Sequence, residues 1–248
     1  MKSRFPETPA YLINWLGGSS GAFISLLLYN LIHKPEVSIE TSVNGNAHVN
    51  QQAITKNYLI SDNGTYSYER INPDDEYSPL ILVEHDIPDL DFYFSKFPNG
   101  NVVIIQVDRK MIPRLRGNLY FKNICEVDYT QSSDIGWDKI RQDNVMLSEY
   151  TNPNDVPLEL VKDYITTGAL MHDIPHFYSS QYSPPVQYKD NIYTIRFYDI
   201  IHNPNKVLHT LSIMTKKPIS NFVVQEYYKY LQKQDELVRH KMPWLNDA

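Results

Sequence analysis

The residues best suited to bind an anion form a glycine-serine stretch, GGSSGAF, at positions 17–23. Where a helix begins in such a stretch, its first backbone N–H groups have no intrahelical acceptor and its dipole favours negative charge. The predicted anion cradle consists of Gly17, Gly18, Ser19, Ser20, Gly21, Ala22 and Phe23, with the serine hydroxyls as further donors. The alternative is a structural turn whose glycines only allow close packing.

The stretch differs from the phosphate loop of ATP-hydrolysing proteins. In that loop a lysine and a serine or threonine follow the last glycine, whereas Ala22 and Phe23 follow Gly21 here. ATP hydrolysis with magnesium is therefore not expected.

A histidine that could exchange a proton, His85, follows the apolar run at residues 80–83 and lies between Glu84 and Asp86. Histidine titrates near neutral pH, and a flanking carboxylate can orient its ring. The three residues are not expected to bind one metal ion, because adjacent strand residues point to opposite faces. The alternative for His85 is an ordinary surface side chain in a polar cluster.

Basic side chains follow a second apolar run, at residues 102–107, and they are Arg109, Lys110, Arg114 and Arg116. They form either a solvated helix face or, in the case of Arg109 and Arg116, ligands of a phosphate group. No metal site is expected elsewhere: Pro175 separates His172 from His176, and Cys125 is the single cysteine.

Several elements must position these residues. YLINWLGG predicts a buried strand, and GAFISLLLYNLI predicts a helix that ends before Pro35. The runs at 80–83 and 102–107 are typical of central parallel strands, and both end in polar residues, where open α/β sheets bind ligands. A polar, turn-rich excursion from the core is predicted for residues 36–78, with short helical or hairpin pieces and Asn-Gly turn signals at Asn44-Gly45 and Asn63-Gly64.

The second half of the chain predicts helices at 112–126, 134–150 and 155–174, and a strand at 193–198. Asn203-Pro204 then predicts the start of a helix, and a final helix is expected at about 221–241. No repeat or linker is evident, so we expect one α/β domain over residues 1–248, with 36–78 as an insertion.

Composition narrows the function further. A net charge of −6 argues against a protein that coats nucleic acid. The uncharged stretch at 10–33 is long enough to span a membrane, but the glycines and serines at its centre favour a turn. With one cysteine and no export signal, we expect a cytoplasmic protein that binds no membrane.

Three features together resemble the sulfotransferase family of the P-loop fold. They are the strand, glycine-serine loop and helix at the start, the strand followed by arginines in the middle, and IRFYDIIHNPNKVLHTLSIMTKKPI at 195–219. The last segment resembles the family's strand, acidic Tyr-Glu-Asp-Leu-like step and Asn-Pro helix start. The resemblance covers most of the chain thinly and does not include residues 36–78.

The resemblance implies a three-layer α/β fold, with a P-loop-type parallel sheet flanked by helices, and transfer of a sulfuryl group from 3′-phosphoadenosine 5′-phosphosulfate to a hydroxyl of a small molecule or glycan. In that interpretation the loop holds the 5′-phosphosulfate, Arg109 and Arg116 hold the 3′-phosphate, and His85 takes the proton of the acceptor hydroxyl. The family's loop lysine corresponds to Ser19, and its distal Arg-Lys-Gly motif is not found. A second possibility is a non-catalytic relative that binds another phosphate or sulfate compound, or an interaction module.

Overall fold

The structure, a computed structural model, describes residues 9–16, 18–33, 36–39, 56–61, 64–70, 77–84, 88–125, 137, 141, 144–167 and 186–245. Its strands are β1 (Ala10–Asn14), β2 (Lys56–Ser61), β3 (Gly64–Arg70), β4 (Leu80–Glu84), β5 (Asn101–Gln106) and β6 (Ile192–Arg196). Its α-helices are α1 (Gly21–Ile32), α2 (Leu90–Lys96), α3 (Ile112–Asn118), α4 (Leu158–Thr167), α5 (Phe197–His202), α6 (Pro204–Thr215) and α7 (Asn221–Lys241).

The six strands form one sheet in the order β2-β3-β4-β1-β5-β6. β4, β1, β5 and β6 are mutually parallel, and β2 and β3 form an antiparallel hairpin that pairs with β4. The predicted α/β class with a parallel sheet is therefore confirmed. The described part of the predicted excursion at 36–78 includes this hairpin, which extends the sheet.

Helices cover both faces of the parallel strands. Alternate residues of β1, β4 and β5 pack with α2 in an apolar cluster formed by Ala10, Leu12, Leu80, Leu82, Leu90, Tyr93, Phe94, Phe97, Val102 and Ile104. α1 contacts β1, α6 contacts β6, and the two helices contact each other. Because strand side chains alternate between faces, Tyr11 and Ile13 are buried on the side of the sheet opposite α2.

The contacts group the chain into two compact units. The first contains residues 1–108 and 174–232, and therefore the whole sheet; the second contains 109–173 and 233–248. The second unit has its own core of aromatic and aliphatic side chains, among them Tyr120, Trp137, Tyr164 and Leu237. The expectation of a single domain over 1–248 stays a prediction.

Two predicted elements differ from the structure. Residues 145–149 form turns rather than the end of a helix at 134–150, since Ser148 and its neighbours bond locally to Val145 and Asn144. The strand predicted at 193–198 ends at Arg196, because Phe197 begins α5. Among the described residues, no helix combines the length and apolar composition needed to cross a membrane.

Candidate anion site at the carboxyl edge of the sheet

The carboxyl ends of β1 and β5 meet at the point where the order of the parallel strands reverses. Along the chain the sheet first grows from β1 to β4 on one side, and then continues with β5 on the other side of β1. In open α/β sheets the crevice at such a reversal is the usual place of ligand binding. The loop at 15–20 leaves β1 at this position.

Two hydrogen bonds join the start of the loop to the end of β4. The Asn14 side chain donates to the Glu84 carbonyl oxygen at 2.9 Å, and the Trp15 amide donates to the same oxygen at 3.1 Å. Asn14 is completely buried. The loop therefore leaves the sheet in a fixed direction.

Ser19 faces inward. Its amide donates to the Leu16 carbonyl oxygen at 3.0 Å, and its hydroxyl donates to the same oxygen at 2.6 Å. The side chain has no solvent-exposed surface. The predicted role of this hydroxyl as an anion donor therefore finds no support in the geometry.

Trp15 packs against the first residue of α1. A Cβ atom added to Gly21 would lie 1.9 Å from Cδ2 of the Trp15 indole. Glycine at this position is thus required by close packing, as the structural alternative for the loop proposed. Gly18 and Ser20 have φ values of 83° and 72°, so the backbone is left-handed at two points before the helix.

The remaining serine of the loop contacts α7. The Ser20 and Tyr230 hydroxyls form a hydrogen bond, and the Tyr230 ring stacks on Phe23 with centroids 3.8 Å apart. The Tyr227 and Phe23 rings pack edge to face with their centroids 5.1 Å apart. Burial raises the pKa of the Tyr227 hydroxyl. Both loop serines therefore bond within the protein.

The backbone amides are the donors that remain. The Ile24 amide donates to the Ser20 carbonyl oxygen at 3.1 Å, as the first bond of the helix. Within the part of the chain that the structure describes, no acceptor bonds to the amides of Gly21, Ala22 and Phe23. An oxyanion at the start of α1 would bind to these amides and benefit from the helix dipole.

An ion pair joins the ends of β5 and β6 at the same edge of the sheet. Arg196 donates from Nη2 to Asp108 Oδ1 at 2.7 Å and from Nε to Oδ2 at 3.2 Å. The hydrogen bonds and negative charge of Asp108 raise the pKa of the Arg196 guanidinium. Neither residue was predicted as a site residue, although Asp108 follows the apolar run at 102–107 and Arg196 lies within the strand predicted at 193–198.

Asp199 is the acidic residue of the segment that resembles sulfotransferases, and its carboxylate accepts hydrogen bonds from side chains of the protein. Asp199 accepts from Lys206 at 2.7 Å and from Asn203 Nδ2 at 2.8 Å. Burial raises the pKa of Asp199, but these two donors and the charges of Lys206 and Arg196 outweigh it, so that the pKa is lowered. Asp199 thereby links α5 to the first turn of α6.

The arginines predicted to bind a phosphate group belong to the second unit. Arg109 is exposed in a short 3₁₀ turn of the second unit, and Arg116 donates from Nη1 to the Ile165 carbonyl oxygen at 3.0 Å within that unit. Gly17 and His85 lie outside the described residues, as do His172 and His176. Among the described side chains, no group of three His, Cys, Asp or Glu could hold a metal ion.

Comparison with protein-family models found no match, and comparisons with curated proteins and with solved structures found none either. The class that the structure establishes is an α/β protein with a four-stranded parallel sheet flanked by helices. The resemblance to sulfotransferases stays a prediction made on the sequence segments quoted above.

Proposed function

We propose that this protein binds an adenine nucleotide of the 3′-phosphoadenosine 5′-phosphosulfate class at the start of α1 and passes its sulfuryl group to a hydroxyl of a small-molecule or glycan acceptor. The observation that carries the proposal is the position of the Gly21, Ala22 and Phe23 amides, which bond to no acceptor among the described residues, at the carboxyl edge beside the strand-order reversal. The sequence resemblance supplies the identity of the ligand.

The backbone amides would bind the oxygens of the 5′-phosphosulfate. In the reaction the S–O bond to the nucleotide phosphate breaks as a new S–O bond forms to the acceptor oxygen, and the hydroxyl proton passes to a base. His85 is the proposed base, because it follows the end of β4 and β4 pairs with β1. Catalysis of this kind rests mainly on positioning and on neutralising developing charge.

A second candidate function is binding without transfer. Ser19 occupies the place of the family's loop lysine, and its hydroxyl is buried on the Leu16 carbonyl oxygen. The loop itself thus supplies no cation for the leaving oxygen. A non-catalytic protein that binds another phosphate or sulfate compound would need only the amides.

Substitution of Ala22 tests the shared binding step. Ala22→Glu places a carboxylate in the first turn of α1, where the helix dipole favours it, so we expect the unliganded melting temperature to stay equal or rise. The same charge repels a bound oxyanion. Wild type should melt higher in millimolar adenosine 3′,5′-bisphosphate, and Ala22→Glu should lose that rise.

The neutral variant Ala22→Gln is the matched control and should retain the ligand-induced rise. Equal rises in Ala22→Glu and wild type, or no rise in wild type, would contradict the proposed site. A sulfuryl-transfer assay on a panel of hydroxyl acceptors then separates the two candidates: ligand binding with turnover supports the enzyme, and binding without turnover supports the second candidate.

A further inference from the structure

Gln106 is a buried amide at the carboxyl end of β5. It is the last residue of the strand and is 7% exposed. Within the part of the chain that the structure describes, its side-chain oxygen and nitrogen have no hydrogen-bond partner. The buried Asn14 and Ser19 side chains, by contrast, both donate to backbone carbonyl oxygens. A buried amide that bonds to nothing in the protein calls for a specific explanation.

The face of β5 to which Gln106 belongs is otherwise apolar. Because strand side chains alternate between faces, Gln106 follows Val102 and Ile104, which belong to the apolar cluster that packs with α2. An apolar side chain of the same size would continue this cluster, and exchanging an unbonded amide for such a group is neutral or stabilising. Glutamine is therefore not the residue that stability favours here, as is common where a residue serves ligand binding.

The Gln106 amide retains contact with solvent at the end of the strand. Neither of its polar atoms is among the described side-chain atoms that are fully enclosed and lack a partner. Gln234 of the second unit is the contrasting case, because it is 2% exposed and its Oε1 is enclosed without a partner. A ligand can therefore reach the amide of Gln106, but not Oε1 of Gln234.

An ion pair lies beside Gln106 on the same face of the sheet. Arg196 of β6 is the register partner of Gln106, and such partners point to the same face with their strands about 4.8 Å apart. Arg196 donates to both carboxylate oxygens of Asp108, at 2.7 and 3.2 Å. The charge of Asp199 also acts on Arg196, but Asp199 is itself paired with Lys206. The charges near the amide therefore balance one another.

We propose that Gln106 is the specificity-determining residue of a site for a neutral hydroxylated ligand, a sugar ring or polyol, at the carboxyl ends of β5 and β6. A hydroxyl both donates and accepts hydrogen bonds, and the amide offers one acceptor and two donors. The Arg196 guanidinium and the Asp108 carboxylate supply further donors and lone pairs for a neighbouring hydroxyl. A charged ligand gains little at a site whose charges are already balanced. The site needs no nucleotide, so the inference goes beyond the proposed function and each can fail alone.

Saturation-transfer NMR of the whole chain with methyl glucoside, methyl galactoside and methyl mannoside tests the inference. We expect wild type to bind at least one of these neutral sugars at millimolar concentration. Gln106→Met keeps the size of the side chain but removes the amide, so the affinity should fall about ten-fold, as the loss of one hydrogen bond or more predicts. The melting temperature of this variant should equal or exceed that of wild type, because the lost amide had no partner.

Gln234→Met is the matched control, since it makes the same substitution at a buried glutamine of the second unit, and it should keep the wild-type affinity for the sugar. The uronic acid of the same sugar, which adds a carboxylate, should bind no more tightly than the neutral sugar. Where Gln106→Met does not fold, the side-chain NH₂ resonances of Gln106 in wild type should shift as the sugar is added.

The inference is overturned by absence of sugar binding in wild type, by equal affinity in Gln106→Met, by tighter binding of the uronic acid, or by unshifted Gln106 resonances. None of these results bears on the proposed function, which is tested separately by the rise in melting temperature with adenosine 3′,5′-bisphosphate.

Discussion

In the glycine-serine loop, some residues serve packing and others can bind a ligand. Ser19 and Gly21 serve packing. The Ser19 hydroxyl donates to the Leu16 carbonyl oxygen, and the Gly21 Cα lies against the Trp15 indole. Ala22 is half-buried and has no side-chain role that the structure reveals, but its amide is directed out of the helix start. The two interpretations of the loop that the sequence allowed therefore apply to different residues of it.

Gly21→Ala tests the packing role. The new Cβ would lie 1.9 Å from Trp15 Cδ2, and the indole is rigid and 5% exposed. We expect a loss of about 2 kcal/mol in the free energy of unfolding, measured by urea denaturation, as for other overpacked sites.

Gly117→Ala is a matched comparison in the second unit. Its Cβ would lie 1.9 Å from Met242 Sδ, but a methionine side chain is flexible and can move aside. The loss there should be smaller, since alanine also favours the helical backbone of α3. A larger loss for Gly117→Ala than for Gly21→Ala would contradict the account of Trp15.

At the scale of elements, α1 and α7 are linked by side chains that hold the loop and the segment after α1. Tyr230 contacts Ser20 and Phe23, as described above. The buried Glu226 carboxylate accepts from the Ile39 amide at 2.6 Å and from Lys229 at 2.9 Å. The first part of α7 therefore bonds to the loop before α1 and to the segment after it.

The junction of α5 and α6 gives a prediction with a defined pH dependence. Because the pKa of Asp199 is lower in the folded protein than in the unfolded chain, its contribution is complete above the unfolded value of about 3.9. The contribution is lost as the pH falls through the folded value. Lys206 is 63% exposed, so we expect only about 1 kcal/mol at pH 7.

Urea unfolding of wild type and Asp199→Asn at pH 7, 5 and 3 measures this contribution. The difference in free energy of unfolding should be largest at pH 7, persist at pH 5 and shrink at pH 3. Lys206→Gln removes the partner and should show the same direction of change. A difference of equal size at pH 7 and pH 3 would show that the charge of Asp199 is not responsible.

At the scale of the whole molecule, the sequence predicted the elements better than their contacts. β1, α1 and α7 could be predicted because an apolar run, a glycine-rich break and a helical spacing are local signals. The Asp108–Arg196 pair spans 88 positions and the Ser20–Tyr230 bond spans 210, so no local pattern reveals them. The hydrogen bond from the Ser19 hydroxyl to the Leu16 carbonyl oxygen was not predicted either. A serine in a loop can bind a ligand or stabilise a turn, and the sequence does not distinguish the two roles.

The order of the strands also required the structure. The apolar runs at 80–83 and 102–107 predicted parallel strands, but not that they flank β1 on opposite sides. That arrangement creates the reversal at which the candidate site lies. Likewise, the sequence did not show that the hairpin β2–β3 lies beyond β4 at one side of the sheet, outside its parallel part.

The central claim is that the amides at the start of α1 bind an oxyanion. Amide ¹H–¹⁵N spectra of the 29.0 kDa chain, recorded during titration with adenosine 3′,5′-bisphosphate, test it most directly. The account predicts that the resonances of Gly21, Ala22 and Phe23 shift saturably and with one common dissociation constant. If these three resonances stay unchanged while the ligand shifts others, the anion binds elsewhere and the claim is wrong.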